Sequence, residues 1–146
     1  MQFTTALLTL AAAGSALAAP APATAKSMTA NVPEWTIEGL VRSCNAEDTS
    51  CHWSFTIDTH TSAPVPCAYD QTGAPASQAQ VNGVTCGQFA VSSGWDGSWG
   101  PGNGFTTLAV KDEAARQIAW PSYTDKQLVN GQVVSPDQSW AVSTIG

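Results

Sequence analysis

The sequence predicts an all-β fold, a compact antiparallel β-barrel or sandwich of about eight short strands with two disulfides. Three observations support this prediction. From Cys51 to Asp58, apolar and polar side chains alternate with the period of two that is typical of a half-buried strand. Similar short segments are separated by Gly, Pro and Asn, and no segment keeps an apolar i, i+3, i+4 pattern beyond one turn. Four cysteines form an even set that can pair.

Three segments are expected along the chain. Residues 1–18 are interpreted as a secretory signal peptide, because a short apolar run precedes a small-x-small cleavage site that ends at Ala18. That run is shorter than the roughly 20 residues needed to span a bilayer. Residues 19–33, rich in Ala, Pro, Ser and Thr, are predicted to be a spacer, and residues 34–146 a single β domain. The product is therefore expected to be secreted and extracellular.

Strand patterning recurs through the β domain. The segments that show it are 35–42, 51–59, 67–69, 80–85, 86–92, 105–111, 115–120 and 139–144. The pair Asn82-Gly83 either interrupts one strand or forms a small hairpin, and Asn130-Gly131 predicts another hairpin, since Asn-Gly is a strong tight-turn signal.

The core is expected to include several aromatic side chains. Ile37 and Val41 are predicted to share one face of the first strand with Trp35. Four tryptophans are predicted to lie in the core or at its edge: Trp35, Trp53, Trp120 and Trp140.

The four cysteines predict two disulfides in an exported chain. Three pairings are possible. We favour Cys44–Cys51, which flanks a tight turn, and Cys67–Cys86, which closes an independent loop. Chain-entropy arguments give about 2.5 kcal/mol for the shorter loop and about 3.3 kcal/mol for the longer one. A metal site at Cys51 and His52 is disfavoured because adjacent strand residues point to opposite faces.

Charge excludes several classes of partner. The chain has 5 basic and 11 acidic residues and a formal net charge of −6. Nucleic acids and anionic membranes attract Lys and Arg, so neither is an expected partner, and a ribonuclease is disfavoured with only Arg42 and Arg116 available for a phosphate. No metal and no cofactor are expected.

Catalytic motifs are weak. The two histidines, His52 and His60, have no recognisable nucleophile motif beside them. Ser98 lies in D-G-S-W-G, which lacks the first glycine of G-x-S-x-G. We therefore expect no enzymatic activity, and a small secreted hydrolase remains an alternative.

The most unusual segment is Gly94–Gly104, where five glycines and one proline among 11 residues predict no regular structure. Large aromatic rings make good interface anchors. The candidate binding surface therefore comprises Trp95, Asp96, Trp99 and Phe105. The alternative is that one or two of these rings fold back over the open end of the sheet.

Several motifs in the mature domain carry a family resemblance. They are W-T-I-E-G-L-V-R-S-C at 35–44, C-H-W-S-F-T-I-D at 51–58, P-C at 66–67, C-G-Q-F at 86–89 and G-F-T-T-L-A-V at 104–110. With the signal peptide, they make the chain similar to small secreted fungal proteins of the Alternaria major-allergen class, and more closely to its hypersensitive-response-inducing elicitor relatives. The resemblance implies a compact β-barrel with two intrachain disulfides.

The same resemblance implies a non-enzymatic effector or elicitor that binds a host plant protein or a cell-wall polysaccharide and triggers plant defence. The allergen type dimerises through an additional cysteine near the mature N-terminus, which this chain lacks. A monomer or a weak non-covalent oligomer is therefore expected. The alternative function is a carbohydrate-binding module with an aromatic platform at Trp95 and Trp99.

Overall fold

The computed structural model describes residues 32–146, which form nine strands and two short 3-10 helices. The strands are β1 (Glu34–Cys44), β2 (Ser50–Asp58), β3 (Val65–Thr72), β4 (Val81–Cys86), β5 (Phe89–Asp96), β6 (Phe105–Asp112), β7 (Gln117–Ala119), β8 (Ser122–Thr124) and β9 (Gln138–Thr144). The helices are η1 (Ala76–Gln78) and η2 (Asp125–Gly131). The expected signal peptide and nearly all of the expected spacer lie outside the described residues. Within residues 32–146, no helix has the length and apolar character needed to cross a membrane.

The strands form one antiparallel sheet that curls into a nearly closed barrel. Along the sheet the order is β3-β2-β1-β9-β7-β6-β5-β4, and β8 also pairs with β6. The two end strands, β3 and β4, are joined by the Cys67–Cys86 disulfide. The other disulfide links Cys44 with Cys51 across the β1–β2 hairpin. The predicted all-β class and both favoured pairings are confirmed, and the architecture is the barrel alternative.

Strand β1 contains a bulge that the sequence pattern did not reveal. The register with β2 shifts between Glu38 and Val41, and Gly39 between them has a φ of +60° that favours glycine. Side-chain alternation therefore reverses, so that Leu40 and Arg42 point inward and are buried. The prediction that Val41 shares the face of Trp35 is wrong, because an extra residue separates them in the ladder.

Strand β2 matches its sequence pattern closely. Its inward side chains are all buried: Cys51, Trp53, Phe55 and Ile57. The Trp53 ring stacks on Tyr69 of β3 at a centroid distance of 6.1 Å. Its indole N–H donates to the side-chain oxygen of Gln71 at 3.0 Å, so the polar atom of this buried ring is paired.

The two Asn-Gly pairs adopt different structures, and only one involves a strand. Gly83, with φ of +66°, lies at a register shift inside β4, so the first pair interrupts a single strand. Asn130 and Gly131, both with positive φ, end helix η2, so the predicted second hairpin is wrong. Helix η2 begins with a capping box between Thr124 and Gln127, which favours a helical turn where the Asn-Gly signal alone suggested a hairpin.

The tryptophans divide between core and surface. Trp35 and Trp53 are buried as predicted, and Trp140 is half-buried. Trp120, however, is 53% exposed, so its assignment to the core or its edge is wrong. Its neighbours Ala119 and Pro121 are buried, and alternation along the chain therefore directs Trp120 outward.

Removing the Cys67–Cys86 disulfide is expected to loosen the seam between β3 and β4. The variant Cys67→Ala/Cys86→Ala should lose about 3 kcal/mol of unfolding free energy. Amide hydrogen exchange should also rise along both seam strands, because no backbone ladder joins them in the described part of the chain. Urea unfolding and hydrogen-exchange mass spectrometry measure the two effects.

The matched control for the seam is Cys44→Ala/Cys51→Ala. We expect a loss of about 2.5 kcal/mol with seam exchange unchanged, because the ladder still joins β1 and β2. Equal seam exchange in the two double variants would contradict the prediction.

The two tyrosines of the chain are expected to ionise only at strongly alkaline pH. Burial raises the pKa of Tyr69 and of Tyr123 to about 12, against about 10 in an unfolded chain. Between these values the unfolded state releases protons that the folded state retains, so the free energy of unfolding falls as pH rises through this window. Absorbance titration of tyrosinate should show a midpoint near 12 whose amplitude halves in Tyr123→Phe. A titration midpoint of about 10, the value for free tyrosine, would contradict the prediction.

Candidate functional site

The glycine-rich segment is shorter as a loop than the sequence indicated. Gly94 to Asp96 continue strand β5 and pair with Thr107 to Phe105 of β6, so the expectation of no regular structure is wrong for these residues. The loop itself comprises residues 97–104. It contains two successive turns, in which the amides of Gly100 and Asn103 each donate to the carbonyl three residues earlier at 3.1 Å.

Trp95 packs back against the protein. Its indole N–H donates to both carboxylate oxygens of Asp125 in η2, at 3.2 and 3.0 Å. A Cβ at Gly97 would overlap the indole ring, and one at Gly104 would lie 2.6 Å from the indole nitrogen and from Asp125 Oδ2. Glycine at these two positions therefore provides the space in which the Trp95 ring lies, and this ring is half-buried.

Trp99 projects from the same loop. Its side chain is 72% exposed, and its backbone carbonyl accepts a 3.4 Å hydrogen bond from Asn103. Asp96 is exposed nearby in sequence, and hydrogen bonds from the Ser98 hydroxyl and amide lower the pKa of its carboxyl group. Phe105 is half-buried opposite Asp96 on β6. Of the four candidate residues, Trp99 and Asp96 are thus the exposed pair, while Trp95 and Phe105 are partly covered.

A buried cation, Arg42, lies near the Asp125 carboxylate that accepts from Trp95. The Arg42 guanidinium is 5.9 Å from the centre of the Trp53 ring, and its Nη1 donates to the Ser77 carbonyl at 3.4 Å. The same Nη1 is 4.0 Å from Asp125, the carboxylate that holds Trp95. Burial lowers the pKa of Arg42, and the carboxylates of Asp125 and Asp48 partly offset this. Sequence reasoning considered Arg42 only as a possible phosphate ligand, because the bulge that directs it inward was not foreseen.

His60 belongs to a hydrogen-bonded chain of side chains that sequence reasoning missed. Its Nε2 is 2.8 Å from the Thr36 hydroxyl, and its Nδ1 is 3.5 Å from the Asp58 carboxylate. The Thr36 hydroxyl is also 2.7 Å from the Ser139 hydroxyl. Thr36 lies 24 residues before His60, so only the pairing of β1 with β2 reveals the contact.

The other histidine and the cysteines have structural partners. His52 forms a 2.7 Å hydrogen bond with Asp70, its cross-strand partner on β3. Cys44, Asp48 and Cys51 lie close enough together for metal ligation, but the two sulfur atoms are joined as a disulfide. Neither cysteine therefore offers the thiolate that a metal ion would need.

Comparison with known proteins gives two consistent results. A family model described as Effector TSP1 matches residues 36–145. A protein of Hypocrea virens named Effector TSP1 is 52% identical over 147 residues, and the alignment covers 99% of each chain. These results support the effector part of the resemblance given above. They do not support the assignment to the Alternaria major-allergen class.

The close packing of the Trp95 ring on Gly104 predicts that a larger side chain at position 104 destabilises the fold. The variant Gly104→Ala should lose about 1–3 kcal/mol of unfolding free energy, because the new methyl group meets the indole and Asp125. Neither Gly104 nor the control position Gly94 has a positive φ, so backbone strain does not distinguish them. Urea unfolding monitored by tryptophan fluorescence measures the change.

The matched control is Gly94→Ala, where the nearest atom to the new methyl group would be Gln80 Nε2 at 3.7 Å. Its unfolding free energy should change by no more than about 0.5 kcal/mol. If both alanine variants were equally stable, the close packing of Trp95 on Gly104 would be disproved.

Proposed function

The chain belongs to the Effector TSP1 family, and we propose from this premise that it is a secreted fungal effector that acts by binding and not by catalysis. Its partner is a host plant protein or a cell-wall polysaccharide, and the binding triggers plant defence. The observation that carries the proposal is the 52% identity with a protein named Effector TSP1 over 99% of both chains.

Secretion is supported by two independent features. Residues 1–18 have the pattern of a signal peptide. All four cysteines are paired, and disulfides form and persist in oxidising environments such as the extracellular space. We propose that the leader is removed, that residues 19–33 act as a spacer, and that the barrel is the functional part of the secreted protein.

The contacts of the two histidines support a role without catalysis. A hydrolase triad holds a nucleophilic hydroxyl beside a histidine and next to preorganised donors for the oxyanion. The Thr36 hydroxyl beside His60 has a second hydroxyl contact with Ser139, and the group is exposed to solvent. His52 is exposed and pairs with Asp70 at the barrel surface. His52 with Asp70 and Thr36 with Ser139 are cross-strand polar pairs, which stabilise sheets, and His60 joins the second pair from the loop after β2.

The proposed contact with a host partner is centred on Trp99. An exposed tryptophan on a surface loop presents a large apolar area with few rotatable bonds, the property of an interface anchor. The sequence suggested that Trp95 and Trp99 together form a platform for sugar rings. The hydrogen bonds of Trp95 to Asp125 and its packing on glycines instead favour Trp99 as the anchor. A net charge of −6 further supports the exclusion of nucleic acid and anionic membranes as partners.

Purified protein infiltrated into leaves is expected to elicit a defence response, measured as ion leakage. Trp99→Ala should require at least about a tenfold higher concentration for the same response, because truncating an interface hot spot costs about 2 kcal/mol or more. The control Val133→Ala removes an apolar side chain that is 55% exposed elsewhere, and should retain the wild-type response. Absence of any response, together with no host component retained in pulldown, would overturn the proposal.

The non-enzymatic part of the proposal has its own control. The wild type and Thr36→Ala should be equally inactive towards a panel of ester, peptide and glycoside substrates. Turnover by the wild type that disappears in Thr36→Ala and in His60→Ala would show that the His60 group is catalytic.

A further inference from the structure

A second exposed tryptophan lies on the outer face of the barrel. Trp120 is 53% exposed and borders a pocket of about 270 Å³ above strands β4, β5 and β6. Small-molecule sites in proteins have volumes from about 300 Å³ upward. This pocket is slightly smaller and open to solvent, so it has room for one unit of a larger ligand. The family relationship assigns no role to this face.

The backbone around Trp120 is fixed on both sides. Ala119 pairs with Val110 of β6, and Ser122 pairs with Thr107 of the same strand. Between them, the Pro121 carbonyl accepts a 2.7 Å hydrogen bond from the Leu108 amide. The indole is therefore presented by a hydrogen-bonded part of the sheet, and such preorganisation reduces the entropy cost of binding.

The floor of the pocket is created by a missing side chain. Gly94 faces Thr107 across the β5–β6 ladder, and the flanking pair on the same face is Ser92 with Ala109. A Cβ at Gly94 would have Gln80 Nε2 at 3.7 Å as its nearest neighbour, and the φ of Gly94 is not in the left-handed region. Neither backbone conformation nor crowding thus demands glycine here, and its effect is to leave a depression beside Trp120.

The pocket combines apolar surface with uncharged polar groups. Its lining includes the amides of Gln80 and Asn82 and the hydroxyls of Ser92 and Thr107, and none of its lining residues is ionisable at neutral pH. Amide and hydroxyl groups both donate and accept hydrogen bonds, as the hydroxyls of a sugar do. The Ser92 and Thr107 hydroxyls are oriented by contacts with the Gly83 amide at 3.0 Å and with Ser122 at 3.2 Å.

We propose that this outer face binds neutral sugar units of a polysaccharide, with the apolar face of a sugar ring packed on the Trp120 indole and its hydroxyls on the uncharged polar lining. The proposal rests on the proposed function in taking a cell-wall polysaccharide as a partner, and it adds a contact for that partner outside the Trp99 loop. A phosphorylated or acidic ligand would find no cation among the lining residues. A dry apolar protein interface would remove the side-chain amides of Gln80 and Asn82 from water, which is unfavourable unless the partner supplies hydrogen bonds.

Titration of the folded protein with chitohexaose, cellohexaose and laminarihexaose, followed by calorimetry and NMR, tests the proposal. At least one of these neutral oligosaccharides should bind and shift the resonances of Trp120 and Gly94. Trp120→Ala should weaken that binding at least tenfold. Gly94→Val, which fills the depression from the strand backbone, should do the same while leaving the Trp120 ring in place.

Two controls separate this face from other exposed apolar side chains and from charge effects. Val133→Ala truncates an exposed apolar side chain that does not line the pocket and should bind the oligosaccharide as the wild type does, while an oligogalacturonate, which is anionic, should not bind. Thermal unfolding of each variant establishes that it is folded. No binding by any of the three neutral oligosaccharides, or unchanged binding by both Trp120→Ala and Gly94→Val, would overturn the proposal.

Leaf infiltration distinguishes the failure of this inference from that of the effector role. A wild type that elicits defence yet binds no oligosaccharide would overturn the sugar site and leave the effector role standing. Oligosaccharide binding that is lost in both pocket variants, without any defence response, would support the sugar site and contradict the effector role.

Discussion

The bulge at Gly39 determines which side chains of β1 enter the barrel, and much of one barrel end depends on it. The positive φ of Gly39 reverses the alternation, and its amide donates a 2.8 Å hydrogen bond to Asp137. Arg42 is thereby placed inside, over the Trp53 ring and near Asp125. Because Asp125 also accepts both hydrogen bonds of the Trp95 indole, a backbone irregularity in the first strand influences how the aromatic loop is held.

Local patterns explain the parts of the fold that the sequence predicted well. The alternation in β2 follows from side-chain direction along one strand, and Cys44 and Cys51 are close enough in sequence for hairpin formation to join them. The Gly39 bulge and the capping box of Thr124 with Gln127 were not predicted. In β1 the alternation of apolar residues, and near η2 the Asn-Gly turn signal, are stronger local patterns than these two features. A bulge adds one residue to one strand of a ladder. Every side chain after it therefore points to the sheet face opposite to the one that simple alternation predicts.

The candidate sites were harder to predict because their residues meet only through the sheet. Thr36 reaches His60 because β1 and β2 pair, and Trp120 faces Gly94 and Thr107 because β7 and β8 both add to β6. For Trp95 and Trp99 the sequence left both exposure and burial open. In the structure the two rings differ. Gly97 and Gly104 leave room for the Trp95 ring, whereas the Trp99 ring projects into solvent. Besides forming the bulge at Gly39, glycine in the described residues admits a ring at the loop and leaves a depression at the sheet.

Closure of the barrel also limits where another polypeptide can pair with the edge of the sheet. Of the eight strands on the path from β3 to β4, only these two lack a second ladder, and a disulfide joins them. Proteases and aggregating chains commonly engage a polypeptide as an extended strand added to a free sheet edge. The six other strands on this path are paired on both sides, so the described barrel offers few such edges to a protease or to an aggregating chain.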